Sequence, residues 1–308
     1  MSEAVRARPA LAPPRPAVAA RRRKRRDHGW LFVLPALLVS ASVVLVPAAA
    51  TIALAFTDWD GIRAPAFVGL ANFLDLVADR RFWTALSNNL IYTAAFTTLP
   101  FAIALLVATL LMTIRRGRTA FQVVFFLPAT IATVILARVW QGMIFSPVTG
   151  LFAALQQHGI AVADPLADPA TALYGVMLVD MWHWWGFLTV IFFAALRQVN
   201  RDLIDAAVVD GAGRLQMFRH VLLPSILPTL MFMLLMTVIW SFKVFDWVFV
   251  LTEGGPGYSS EVLATMAYSD AFQSFQVGRA SAGSVAMSLV GLAAIVTYLR
   301  LQARSERL

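Results

Sequence analysis

The chain has 308 residues, of which 59% are hydrophobic and only 14% charged, with a mean hydropathy of +0.73. Soluble domains carry about 25% charged residues, so the composition excludes a water-soluble globular protein and indicates a polytopic membrane protein. A net charge of +8 would suggest a nucleic-acid partner in a soluble protein, but here the distribution of charge along the chain explains it as topology, and no nucleic acid is expected.

Cysteine is absent, which removes any disulfide framework or thiolate metal site. The histidines, His28, His158, His183 and His220, are far apart and form no ligand motif. No metal and no cofactor is expected.

Residues 1–29 are rich in Pro and Ala and end in the basic run from Arg21 to Arg26. No core can form from such a segment, so it reads as a disordered basic tail near anionic lipid head groups. The first apolar run, 30–56, contains Pro35 and Pro47. Behind a basic stretch it could pass for a signal peptide, but it is longer than a signal core of about 7–15 residues and reads as a retained anchor.

A polar and aromatic segment follows at 57–89, with Asn88 and Asn89 expected to cap the second span. Apolar runs at 90–113 and 121–145 are separated by the basic turn Arg115, Arg116, Gly117 and Arg118. Arg138, near the end of the second of these runs, is expected to snorkel to the interface. After the loop 146–169 come a fourth run at 172–196, a polar segment at 197–224, and a fifth run at 226–252. Glu253, Gly254, Gly255, Pro256 and Gly257 force a turn, and the sixth run, 280–301, nearly ends the chain. Each run is long enough to cross a bilayer, which takes about 20 residues.

The expected fold is all-α: a six-helix transmembrane domain over 30–302, with a short tail at 303–308. Placing both termini in the cytoplasm puts 19 of the 25 Lys and Arg residues in inside segments and three, Arg63, Arg80 and Arg81, in outside loops. That asymmetry fixes the orientation.

The segment 197–224 is too short for a domain and too patterned for a linker. Asn200 can cap a helix whose first turns carry Asp202 and Asp205, favourable charges near the positive end of the dipole. Ala206 and Ala207 offer a face of small side chains, followed by Asp210, and Gly211 can take the left-handed conformation that ends the helix. A second short helix, 212–221, is expected to stop at Pro224.

The order Asp205, Ala206, Ala207, Gly211, Val221, Leu223, Pro224 resembles the signature of inner-membrane permease subunits of ABC importers: Glu-Ala-Ala, a later glycine, then Ile-x-Leu-Pro. Asp205 stands where that family has Glu, and Val221 where it has Ile. The resemblance implies that this segment is the coupling helix docking on an ATPase, with Asp205, Ala206, Ala207, Asp210, Gly211, Leu223 and Pro224 as the coupling residues. Further similarity covers Phe67-Val-Gly-Leu-Ala-Asn-Phe73, Phe82-Trp83 with Asn88, Leu127-Pro128, Trp140, and Leu251-Thr252-x-Gly254-Gly255-Pro256 with Tyr268. These resemble carbohydrate permeases of the maltose, trehalose and glycerol-phosphate group.

No Gly-Lys-Ser/Thr phosphate loop is present, so the chain cannot hydrolyse ATP by itself. The resemblance implies a second homologous permease subunit, an ATPase dimer and an extracytoplasmic sugar-binding protein as partners. Two other readings stay open: a permease of the same machinery for an amino acid or phosphate, and a stand-alone secondary transporter whose activity would survive ATP depletion.

Polar residues inside spans face the bundle interior because lipid penalises them. Asp180, His183, Trp184 and Phe187 fall at i, i+3, i+4 and i+7 on one face of the fourth run. Lys243 and Asp246, three apart in the fifth, are expected to offset each other's charge by pairing. Together these six form the candidate substrate passage, a placement that the resemblance to sugar permeases also implies. Trp182, Trp184 and Trp185 equally fit an interfacial aromatic belt, His183 a packed, hydrogen-bonded histidine, and Lys243–Asp246 a purely structural pair.

Overall fold

The computed structural model describes residues 29–114 and 116–305. The basic tail up to residue 28 and the last three residues lie outside them. The chain divides into two compact units, Met1–Pro47 and Ala48–Leu308. The first holds α1 (Gly29–Ser40) and a π turn (Ala41–Leu45), and the division falls inside α2 (Val46–Leu54). Pro35 lies inside α1 without ending it.

The second unit is built from α3 (Ala71–Ala78), α4 (Arg80–Thr113), α5 (Arg118–Phe126), α6 (Thr133–Met143), α7 (Leu151–Gln157) and α8 (Ala172–Arg197). It continues with α9 (Arg201–Val209), α10 (Arg214–Met217), α11 (Leu223–Ser225), α12 (Leu227–Phe242), α13 (Asp246–Leu251), α14 (Leu263–Phe272) and α15 (Val277–Ser305). Among the described residues the extended pairing is a single bridge between Thr57 and Phe67.

Four helices are long and apolar enough to cross a membrane as they stand: Phe32–Leu54, Arg80–Thr113, Ala172–Arg197 and Val277–Arg300. Two more are bent pairs, Arg118–Thr130 with Thr133–Met143 at 95°, and Arg214–Ser225 with Leu227–Phe242 at 68°. The span count is therefore four, or six when each bent pair is one span.

The third and fifth runs, expected to be continuous, are both interrupted. In the third, Pro128 sits in a short 3-10 turn, after which Ile131 and Ala132 are extended with ψ of 138° and 129°. In the fifth, Lys243 leaves the helix at φ −95°, ψ 4° and Phe245 sits at φ −134°, ψ −58°. The break in the third run follows Pro128, which interrupts the helical bonds there, whereas that in the fifth carries neither glycine nor proline, so tertiary packing overrides local propensity at it.

α4 and α8 run side by side in the same direction. Phe101 meets Phe192 at 5.4 Å between ring centroids, and Ala104 and Ala108, both buried, share a cluster with Phe192 and Leu196. Small residues four apart let two helix backbones approach closely, which is how helices bind each other where lipid supplies no hydrophobic drive. Gly186 makes the tightest such approach between α8 and α5: a Cβ there would lie 1.8 Å from the Phe125 carbonyl oxygen.

Between α8 and α12 the chain makes an elbow. Asn200 caps α9, its side chain accepting from the Asp202 N–H at 3.0 Å. Gly211 takes φ +76°. The Ala212 N–H then reaches the Ala207 carbonyl at 2.9 Å and the Gly211 N–H reaches Val208 at 3.1 Å, the paired bonds that close a helix C-terminus.

The second short helix does not stop at Pro224. α10 passes through a π turn (Phe218–Leu222) into α11, which contains Pro224, and the bend falls at Ile226. Pro224 lies in the first turn of α11, where a missing N–H breaks no bond within the element.

Candidate functional site

The two chain breaks converge on one cavity of about 330 Å³. Thr133, at the start of α6, and the 243–245 break line it, together with Tyr92 and Phe96 of α4. α8 contributes Asp180, His183 and Trp184, and α12 contributes Thr237, Trp240 and Ser241. Trp184 is the aromatic hub: Trp240 meets it edge-on at 4.6 Å, and Phe187 stacks on it at 4.9 Å. His183 stands edge-on to Trp247 at 5.4 Å.

The polar groups of this cavity are incompletely paired. Asp180 is buried, its Oδ2 accepting from the Tyr92 hydroxyl at 2.6 Å. Its Oδ1 lies 3.8 Å from His183 Nδ1, too far for a hydrogen bond. His183 Nδ1, Trp184 Nε1 and Thr237 Oγ1 are buried with no hydrogen-bond partner. An orphaned polar atom in a low-dielectric interior costs about 1–3 kcal/mol. Three in one cavity favour a ligand that both donates and accepts hydrogen bonds and presents an apolar face to the indole rings.

Of the six residues expected to line a passage, five meet here: Asp180, His183, Trp184, Lys243 and Asp246. Phe187 does not. It lies behind Trp184, between that ring and Phe126 at 6.2 Å.

Lys243 and Asp246 do not pair, since neither takes part in an ion pair among the described residues. The break between them supplies the reason. Lys243 sits at the C-terminus of α12 and Asp246 in the first turn of α13, so each charge meets a helix end of opposite polarity. Trp182 and Trp185 turn elsewhere, Trp182 towards Trp140 at 5.3 Å and Trp185 towards Phe125 at 4.9 Å.

Sequence reasoning missed Tyr92, Thr237 and Ser241. The available signal was a hydroxyl inside an apolar run, which lipid disfavours.

A second constellation lies near the start of α4. Arg81 grips Glu261 by two bonds, Nη2 to Oε1 at 2.5 Å and Nε to Oε2 at 2.7 Å, and reaches Asp270 Oδ1 at 3.2 Å. Its guanidinium lies 4.4 Å over the Tyr258 ring. Arg279 bonds Asp79 and approaches Asp270 at 3.4 Å.

Burial pushes the Glu261 and Asp270 carboxyls above their ordinary values, against the pull of Arg81 on Glu261 and of Arg279 and Arg81 on Asp270. Asp79 goes the other way. Burial alone would raise it, but the Arg81 backbone N–H and Arg279 outweigh that and hold it below the usual carboxylate range.

Asn88 and Asn89 do not cap α4. Asp79 does, accepting from the Arg81 N–H at 2.8 Å. The two asparagines reach across to the 259–263 segment instead. Asn88 Nδ2 donates to the Ser259 and Glu261 carbonyls, and Asn89 Oδ1 accepts from the Leu263 N–H at 2.8 Å.

At the elbow, Asp205, Ala206, Asp210, Gly211 and Pro224 are exposed, while Ala207 and Leu223 are half-buried. The exposed surface is less small-sided than expected, because Leu203, Val208, Val209 and Leu215 are all more than half exposed. No side chain crowds Gly211, since a Cβ there would meet no atom within 4 Å.

Residues 101–307 match the family described as binding-protein-dependent transport system inner membrane component. The chain belongs to this family. It is 34% identical over 276 residues to a probable starch degradation products transport system permease, AmyD, of Thermoanaerobacterium thermosulfurigenes, spanning 88% of this chain and 92% of that protein. The trehalose/maltose transport system permease MalF of Thermococcus litoralis is 28% identical, over 88% of this chain and 92% of its own. A chain in the crystal structure of a bacterial ABC transporter that imports the polysaccharide alginate shares the fold. Its TM-score is 0.77 at 24% identity, covering 89% of this chain and 94% of that one. The protein is thus an inner-membrane permease component of a binding-protein-dependent transport system, and not an enzyme.

Proposed function

We propose that this permease carries a sugar or sugar derivative into the cell by alternating access. It would work with a second homologous permease subunit, a cytoplasmic ATPase dimer and an extracytoplasmic sugar-binding protein, with both of its termini in the cytoplasm and its basic tail against anionic lipid. The observation that carries the reading is the cavity, where indole faces stand beside unpartnered donors and acceptors within the spanning helices. A sugar ring has a C–H face that packs on aromatic rings and hydroxyls that donate and accept. The names of AmyD and MalF, which concern starch products and trehalose or maltose, agree with it.

The elbow is the docking segment for the ATPase in this reading. Its exposed Leu203, Val208, Val209 and Leu215 have the character of an interface core. Asp205 keeps the charge that the family places there, and Gly211 fixes the turn.

The test is uptake of radiolabelled maltose and trehalose by proteoliposomes holding the complete importer. Wild type should accumulate at least one of them in an ATP-dependent way. Gly211→Val should assemble yet lose uptake and cargo-stimulated ATP hydrolysis together, because a β-branched residue resists positive φ. Uptake that survives ATP depletion, or a Gly211→Val importer with normal coupling, would refute the reading.

A further inference from the structure

Tyr92 is the polar side chain that α4 contributes to the cavity, and it is fully buried. Its ring stacks on Phe96 at 4.7 Å, and its hydroxyl donates to Asp180 Oδ2 at 2.6 Å. A short bond to a carboxylate is among the stronger hydrogen bonds available to a neutral donor. It engages one carboxylate oxygen and leaves Oδ1 to face His183 Nδ1 across 3.8 Å, with that nitrogen unpartnered.

The gap is too wide for the two groups to bond each other, yet it suits a hydroxyl between them. A hydroxyl is donor and acceptor at once. It can donate to Asp180 Oδ1 while accepting from His183 when that ring carries its proton on Nδ1.

We infer that Tyr92 is a positioning residue for cargo passage: it pins Asp180 so that one cargo hydroxyl can sit between Asp180 Oδ1 and His183 Nδ1. The inference rests on the sugar-permease reading above. Without the Tyr92 hydroxyl, the carboxylate is free to turn and close on His183, so the seat disappears although both of its walls remain. A Tyr92 that merely tied α4 to α8 would behave differently, because its loss would lower the amount of assembled permease and not the turnover of what assembles.

The experiment compares wild type, Tyr92→Phe, Asp180→Asn and the double variant in the complete importer, with radiolabelled maltose and trehalose as probes. Uptake is normalised to assembled complex and measured against the concentration of loaded binding protein. Tyr92→Phe keeps the ring against Phe96, and Asp180→Asn keeps an acceptor for Tyr92, so the two variants perturb the fold in different ways.

Maximal uptake per complex should fall about tenfold in Tyr92→Phe, the worth of one hydrogen bond to a charged group, with the half-saturating binding-protein concentration unchanged. The double variant should be no worse than Asp180→Asn, since both remove the same seat. Normal turnover in Tyr92→Phe, or losses that multiply in the double variant, would overturn the inference and leave the sugar-permease reading standing. Wild-type uptake of neither sugar would remove that reading and this inference with it.

Discussion

Two polar clusters in this permease differ in how far their charges are paired within the protein. Around Arg81 every charge is answered: Glu261 and Asp270 meet Arg81, while Asp79 and Asp270 meet Arg279. Around Asp180 little is. Three buried polar atoms lack partners and two charged side chains face the cavity unpaired. The Arg81 network can hold the 253–262 loop on the heads of α4 and α15, and of its ion-pairing side-chain atoms Arg279 Nε alone is buried without a hydrogen-bond partner among the described residues. The open cluster has poor internal satisfaction, as expected of a site whose partner comes and goes.

The largest effect should come from breaking the closed network. Arg81→Ala leaves Glu261 and part of Asp270 as buried charges without a counter-ion, a loss of about 3–5 kcal/mol. Assembled permease in the membrane should drop sharply, whatever the cargo. Assembly at the wild-type level would show that the network does not hold the loop.

How much of this was legible beforehand differs between regions. The first half of the elbow was readable, with Asn200 as cap and Gly211 as left-handed terminus both set by local chemistry, whereas Pro224 did not end the second short helix. The apolar runs marked the long apolar helices but not the breaks that leave the count at four, or six with each bent pair as one span. Pro128 marks the first of these breaks, but nothing local in Val244 and Phe245 announces the second. Because helix 227–242 ends at Lys243, the spacing that seemed to pair Lys243 with Asp246 was computed on a helix that does not exist there. Arg81 counted only as a topology signal, since its acidic partners Glu261 and Asp270 lie 180 and 189 residues away in sequence. Tyr92 was hidden in the same way, 88 residues from Asp180.

The opposite behaviour is expected of the open cluster. Lys243→Met removes an exposed charge that holds no ion pair, so stability should move by no more than about 0.5 kcal/mol, read as the melting midpoint of the solubilised complex. Uptake should nonetheless change, because the side chain lines the cavity. A large stability loss without a transport change would invert the distinction between the clusters.

A subtler contrast lies in pH. Glu261 has a carboxyl raised by burial, so the folded state binds its proton more readily than the unfolded state does. Its contribution favours folding below the ordinary glutamate value and is lost as pH rises through the raised one. Thermal stability of wild type relative to Glu261→Gln should therefore decline from about pH 4 towards neutrality. A relative stability that rises over that window would contradict the burial assignment.

The central claim is that cargo passes the Asp180 and Trp184 face and not the aromatic surface around it. The most direct measurement is uptake of maltose and trehalose per assembled complex for Trp184→Ala beside Trp182→Ala and Trp185→Ala, whose rings pack on Trp140 and Phe125. Trp184→Ala should lose or re-rank the two sugars with complex still present, while the other two should keep the wild-type ranking. Equal losses for all three tryptophans, in step with falling protein levels, would contradict the claim and make the cluster structural.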